Sequence, residues 1–179
     1  WYDEGLPTIH DEIRGQRVSA STGAKIGGSY AIYASPAGNA VYELKTSYSS
    51  SSNVHLAAWH DGAGQSEIFA QRLAGATGAN VGGLINLTSG ESRFCAVPCV
   101  TYNSSAGEFA VIWQVDASAL GQGWDYYGQR VRASDGALMG GVQLTSGTAW
   151  EYAGDILYDN DANRFILVYQ DSGGGNTIY

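Results

Sequence analysis

The chain has 179 residues, 44% of them hydrophobic and only 15% charged, with 25 glycines, so it holds enough apolar material for a core and is not composed like a disordered chain. Its net charge of −8 and its scattered Lys and Arg leave no basic stripe for neutralising phosphates, which argues against a nucleic-acid partner. No apolar run approaches the roughly 18 residues of a membrane-spanning helix, and the abundance of glycine points to short strands and tight turns in place of long helices.

The first residues, Trp1-Tyr2-Asp3-Glu4-Gly5, show neither a basic nor an apolar leader region, and without an initiator Met the chain reads as a processed protein or a part of a longer one. In chain order the first recurring element is Gly15-Gln16-Arg17-Val18, which returns as Ala70-Gln71-Arg72-Leu73 and as Gly128-Gln129-Arg130-Val131. Each copy leads into a turn and a glycine pair: Thr22-Gly23-Ala24 before Gly27-Gly28, Thr77-Gly78-Ala79 before Gly82-Gly83, and Asp135-Gly136-Ala137 before Gly140-Gly141. The Thr/Asp-Gly step is a hairpin signal, because glycine accepts the positive φ of a tight turn.

A further marker is an apolar run ending in an aromatic residue and then an acid: Leu56 to Trp59 with Asp61, Ala110 to Trp113 with Asp116, and Ile166 to Tyr169 with Asp171. Continuous apolar runs predict strands buried on both faces. Another strand ends at Tyr48, Tyr102 or Tyr158 before each run, so the unit is four antiparallel strands over roughly 55 residues.

The pattern resembles the β-propeller repeats of bacterial secreted and cell-surface proteins, in which a Trp-x-Asp run, an Ile-Tyr-Gly-Gln-Arg-Val strand and a Gly-Gly strand recur once per blade. The resemblance implies an all-β, propeller-type array of four-stranded antiparallel blades, about three repeats within a single array over residues 1–179. On that frame residues 41–94 form blade one, 95–150 form blade two, and a further blade is split between outer strands at 1–40 and inner strands at 151–179. Thr177-Ile178-Tyr179 matches Glu12-Ile13-Arg14, and Trp1-Tyr2-Asp3 matches the end of a Trp strand. Three blades are fewer than the usual four to eight or so of a closed ring. Flanking repeats of a longer chain, or self-association with a second copy, would complete it. A three-lobed β-trefoil or β-prism is the alternative architecture.

Recurrence in every unit gives Arg17, Arg72 and Arg130 a structural role, each guanidinium expected against the Trp and Asp of its own blade. Trp59, Trp113 and Tyr169 are expected to pack in the core. The non-repeating aromatics Trp124, Tyr126, Tyr127, Trp150 and Tyr152 are placed in or beside loops and are the ligand-binding candidates. Cys95 and Cys99 would stand roughly 13 Å apart on an extended strand, so a disulfide between them requires a turn; pairing and two free thiols both stay open. Asp61, Asp116 and Asp171 are weak Ca²⁺ candidates, no other cofactor or metal being implied. Asn86 and Asn103 satisfy the N-glycosylation pattern.

No nucleophile elbow, zinc helix or phosphate loop is present, so no catalytic residue is nominated. The leading expectation is a non-enzymatic extracellular or cell-surface module for structure or adhesion, making contact with glycans or surface proteins. A multivalent carbohydrate-binding lectin and a fragment of a polysaccharide-active enzyme are the alternatives.

Overall fold

The computed structural model describes residues 2–3, 11–36, 39–62, 66–121, 123–173 and 177–178. Trp1 and Tyr179, used in the sequence alignment, lie outside the described residues. The described chain is all-β, broken only by a short 3-10 turn at Ser118–Leu120. Its strands form four separate antiparallel sheets. Sheet A runs β1 (Tyr2–Asp3), β2 (Glu12–Val18), β3 (Lys25–Ala34); sheet B runs β4 (Val41–Ser49), β5 (Val54–Asp61), β6 (Glu67–Ala74), β7 (Asn80–Asn86). Sheet C runs β8 (Cys95–Asn103), β9 (Glu108–Asp116), β10 (Trp124–Arg132), β11 (Leu138–Gln143); sheet D runs β12 (Glu151–Asp159), β13 (Arg164–Asp171), β14 (Thr177–Ile178).

The sheets pack face to face in the order A, B, C, D, because the apolar runs bury alternate residues on opposite faces. Trp59 and Ala57 turn toward sheet A, where they meet Ile13 and Tyr33, while Leu56 and Ala58 turn toward sheet C. In sheet C, Val111 and Trp113 face back to B, and Ala110 and Ile112 face forward to Ile156, Phe165 and Tyr169 of sheet D. The aromatic residue of each run thus packs on the preceding sheet. Inner strands β4, β8 and β12 adjoin one another in turn.

Sheets A and B each also latch onto the next. Arg17 Nη1 donates to the Ala76 carbonyl in the hairpin of sheet B at 2.9 Å, and Arg72 Nη1 donates to the matching Ser134 carbonyl of sheet C at 2.8 Å. This corrects the expected pairing with the Trp and Asp of the same unit: the guanidinium reaches across to carbonyl dipoles of the neighbouring hairpin. Arg130 folds back onto Glu108 and the Met139 carbonyl. The accompanying Gln16, Gln71 and Gln129 side chains donate to the carbonyl of the residue that follows each of them, at 2.9, 3.0 and 3.1 Å.

The strand groups at 1–40 and 151–179 stand as two sheets, A and D, because one buries its apolar face on B and the other on C, leaving two whole sheets between them. Among the described residues the four sheets stay separate and do not close into a barrel, which removes the trefoil alternative. Cys95 and Cys99 are both buried free thiols. A β-bulge between Ala96 and Cys99 shifts the register, so Cys95 enters the B–C core while Cys99 enters the C–D core. Burial holds the thiols protonated, their pKa values raised to about 12 and about 11.

Candidate functional site: an aromatic row across three sheets

That bulge recurs at the third residue of every inner strand. Glu43, Val97 and Ala153 have φ of 55°, 54° and 48°, and the pairing with the next strand shifts at each place. A side-chain-bearing residue held there costs on the order of 1–2 kcal/mol, so three equivalent outliers mark a place where the fold imposes a special geometry. The bulge re-aims the residue before it. In sheets B and D that residue is a tyrosine, Tyr42 and Tyr152, exposed by 44% and 39%.

These tyrosines are the two ends of a continuous row of rings. Tyr42 lies 5.0 Å from His60, His60 lies 6.3 Å from Phe94, and Phe94 lies 5.7 Å from Trp124. Trp124 lies 6.5 Å from Trp150, and Trp150 lies 6.3 Å from Tyr152. Phe94 and Trp150 occupy the residue just before an inner strand in sheets C and D, and each reaches a ring on the preceding sheet. The row therefore crosses both sheet junctions at one end of the array. Trp150 is the most open large ring, at 47% exposure.

Carboxylates border the row in two states. Glu43 is open, and His60 Nδ1 stands 3.4 Å from its Oε2. The imidazole is the main cause holding the Glu43 carboxyl below its usual range. Asp125 and Glu151, the residues that follow Trp124 and Trp150, are buried, and burial pushes both carboxyls up. Glu151 accepts from the Thr145 hydroxyl, and Asp125 Oδ2 accepts from Gln143 Nε2 at 3.3 Å while its Oδ1 has no hydrogen-bond partner.

The sequence candidates fall in different places. Trp124, Trp150 and Tyr152 belong to the row. Tyr126 does not: it is fully buried on β10, where its hydroxyl accepts the Gly154 N–H at 2.6 Å, so its assignment to a ligand surface is corrected. Tyr127, next on the same strand, is half-buried and lies under the Arg93 guanidinium, 4.9 Å from ring centroid to Cζ. Trp59 is fully buried and Trp113 nearly so, whereas Tyr169 is half-buried.

The calcium candidates do not converge. Asp61 accepts from the Tyr33 and Ser35 hydroxyls, Asp116 caps the Ser118 N–H, and Asp171 caps the Gly173 N–H. Among the described residues no group of three or more His, Cys, Asp or Glu side chains gathers for a metal. Asn86 donates to Glu67 at 3.0 Å, and Asn103 is buried and caps its own turn, so both amides are already engaged in the fold.

Tyr42, His60 and Phe94 escaped sequence reasoning. The signal for Phe94 was its alignment with Trp150, one residue ahead of an inner strand. Also unnoticed was the repeated Leu87-Thr88-Ser89-Gly90 and Leu144-Thr145-Ser146-Gly147, in which the threonine hydroxyl accepts the Ile68 or Tyr126 N–H and closes the edge of the sheet.

The loop following the first of these is fixed by Glu91, whose two oxygens take Arg93 Nε at 2.9 Å and Nη2 at 2.5 Å. Arg93 holds the Glu91 carboxyl down to about 2 from 4.5. The folded pKa being depressed, the pair's contribution is present above the ordinary value and is lost as the pH falls through the folded one. Glu91→Gln should therefore cost about 1 kcal/mol near neutral pH and flatten the acid arm of stability, read by thermal melts between about pH 6 and about pH 2. Asp125 and Glu151 act with the opposite sign, since ionising a carboxyl whose pKa is raised by burial costs stability as the pH rises.

No protein-family model and no curated protein matches the chain. Among solved structures, the native arabinanase Arb43A of Bacillus subtilis aligns with 96% of this chain and 61% of that one, at 15% identity and a TM-score of 0.48. The chain thus spans about three-fifths of the arabinanase chain.

Proposed function

We propose that the chain is a non-enzymatic β-propeller-type module that binds glycan chains along the aromatic row. The observation that carries this reading is the uninterrupted line of six rings over three sheets, open at Tyr42, Trp150 and Tyr152. A sugar ring presents an apolar C–H face that stacks on an aromatic ring, and a row of rings meets successive sugars of an extended chain. Large, stiff side chains give contact area at low entropic cost, with Glu43 beside them to accept hydroxyl hydrogen bonds. The acidic chain favours a neutral or cationic polymer. The likeness of the repeat to secreted and cell-surface propellers goes with an extracellular or surface location.

Affinity electrophoresis against a panel of neutral polysaccharides tests the reading. At least one polymer should retard the chain, and Trp150→Ala should weaken binding about tenfold or more, because loss of one well-stacked ring is worth about 1.4 kcal/mol or more. Retardation by no polymer, or retardation unchanged in Trp150→Ala, would sink it.

A polysaccharide-cleaving enzyme is the second reading, favoured by the neighbouring Asp125 and Glu151 with their raised pKa values. Glycan contact is preferred because the open groups are rings, while these two carboxylates are 0% and 5% exposed. Release of reducing ends that stops in Glu151→Gln would reverse the preference.

A further inference from the structure

We propose that the seam between sheets B and C holds a second glycan seat, separate from the aromatic row and sized for a single sugar ring at the end or branch of a bound chain. The class of ligand rests on the glycan reading. The place rests on a comparison of two successive seams.

Strand pairing sets that comparison. Tyr33 stands opposite Ile13 near the end of the outer strand of sheet A, and at the matching point of sheet B the Leu87 N–H donates to the Ile68 carbonyl at 2.8 Å. Each residue borders an aromatic pair on the following sheet. Trp59 stands opposite Phe69 in sheet B, and Trp113 stands opposite Tyr127 in sheet C. The Tyr33 ring fills the A–B seam, 5.0 Å from Trp59 and 6.2 Å from Phe69, and lies within 23° of parallel to the latter. Leu87 has no ring to offer. At the B–C seam a pocket of about 320 Å³ opens between Leu87 and its loop on one side and Trp113 and Tyr127 on the other. Trp59 is accordingly 0% exposed and Trp113 6%.

Tyr33 is thus an occupant built into the chain, and it shows what such a seam accepts: one six-membered ring against an aromatic wall. The pocket volume falls at the lower end of small-ligand sites, roughly 300–1,000 Å³. Both of its walls belong to four-stranded sheets.

The polar groups favour a sugar over a phenol. The Tyr33 hydroxyl donates to Asp61, two residues beyond Trp59, whereas two residues beyond Trp113 stands buried, apolar Val115. The polar groups of the pocket lie on the loop instead. The Thr88 hydroxyl accepts the Ile68 N–H and keeps its own proton to give, and Ser89 is exposed. Glu91 Oε2, held by Arg93 Nη2 at 2.5 Å, has lone-pair capacity for a further donor. A pyranose brings hydroxyls around its rim to such a loop and a C–H face to the rings.

The walls are set before a ligand arrives. Arg93 lies over the Tyr127 ring, donates to its hydroxyl at 3.1 Å and holds Glu91 with two more N–H groups. The next residue, Phe94, belongs to the aromatic row, so one loop joins the two sites. A glycan that engages both gains by their nearness.

Nuclear magnetic resonance of the 15N-labelled chain tests the proposal, with D-glucose, D-galactose, D-mannose and N-acetyl-D-glucosamine each added to about 50 mM, against an expected Kd of about 1 mM for a single ring. At least one sugar should shift the Ser89, Gly90 and Glu91 amides saturably, and should do so equally in Trp150→Ala. Leu87→Tyr supplies the missing ring from within. It should weaken those shifts tenfold or more while polysaccharide retardation through the row persists. Ser89→Phe, an exposed change at the same loop, decides the question if Leu87→Tyr lowers the melting temperature. Shifts confined to residues of the row, shifts at the loop that survive both variants, or shifts there with p-cresol and no sugar would overturn the seat and leave the row reading standing. No shift with any sugar together with no retardation by any polymer would overturn both.

Discussion

Trp59→Ala should remove about 3–5 kcal/mol of folding free energy, the largest loss among the three equivalent aromatic positions. Trp59 is fully buried between sheets A and B, packed with Ile13, Val41 and Leu73 and 5.0 Å from the Tyr33 ring. Nothing nearby can relax into the space, since the surrounding strands are tied by their own ladders. For a chain of this size the loss lowers the melting temperature by about 10 °C. Trp113→Ala should cost nearly as much. Tyr169→Ala should cost about 1–2 kcal/mol, because its ring is half-buried on sheet D. Trp59→Phe separates packing from polarity: the indole Nε1 has no hydrogen-bond partner, so phenylalanine forfeits volume but no hydrogen bond and should recover well over half of the loss. Thermal melts of the four variants give the order directly, and equal losses at Trp59 and Tyr169 would contradict the packing described here.

The same comparison shows which features were legible in the sequence. The hairpins were, because the conformation at Gly23, Gly78 and Gly136, with φ of 70°, 77° and 83°, admits few residues other than glycine and so recurs as glycine. The four-strand unit was legible because an apolar run between two packed sheets cannot hide its composition. The inner-strand bulges were not: Glu43, Val97 and Ala153 share a backbone conformation but no side-chain chemistry, so alignment leaves no trace of it. The same hidden shift sends Cys95 and Cys99 to different cores, which their spacing in the sequence does not reveal. The aromatic row was half legible. Trp124, Trp150 and Tyr152 stood out as non-repeating rings, but their continuity through Phe94 and His60 depends on contacts between sheets, and Tyr126 looked the same in sequence while pointing into the C–D core. Recurrence likewise identified the arginines as structural without revealing that Arg17 and Arg72 serve the neighbouring sheet.

Arg72→Ala tests that relation and should cost about 2–4 kcal/mol, with Arg130→Ala within about 0.5 kcal/mol of wild type. The two residues occupy the same repeat position, yet their surroundings differ. Arg72 is 6% exposed, its Nη1 donating to the Ala133 and Ser134 carbonyls at 3.2 and 2.8 Å and its stem lying against Gly136. Removing it leaves two carbonyls of a tight hairpin without their charged donor and opens the seam between sheets B and C along the aliphatic stem. Arg130 is half-exposed and reaches Glu108 at 3.3 Å, an ion pair that water largely screens. Arg72→Lys should recover only part of the loss, because an ammonium can donate to both carbonyls as Nη1 does but lacks the planar guanidinium whose Nε lies against Gly136 of the hairpin. Urea denaturation of the variants gives the free energies. An Arg72→Ala cost no greater than that of Arg130→Ala would mean that the inter-sheet latch contributes nothing, and that the repeated arginine serves its own sheet after all.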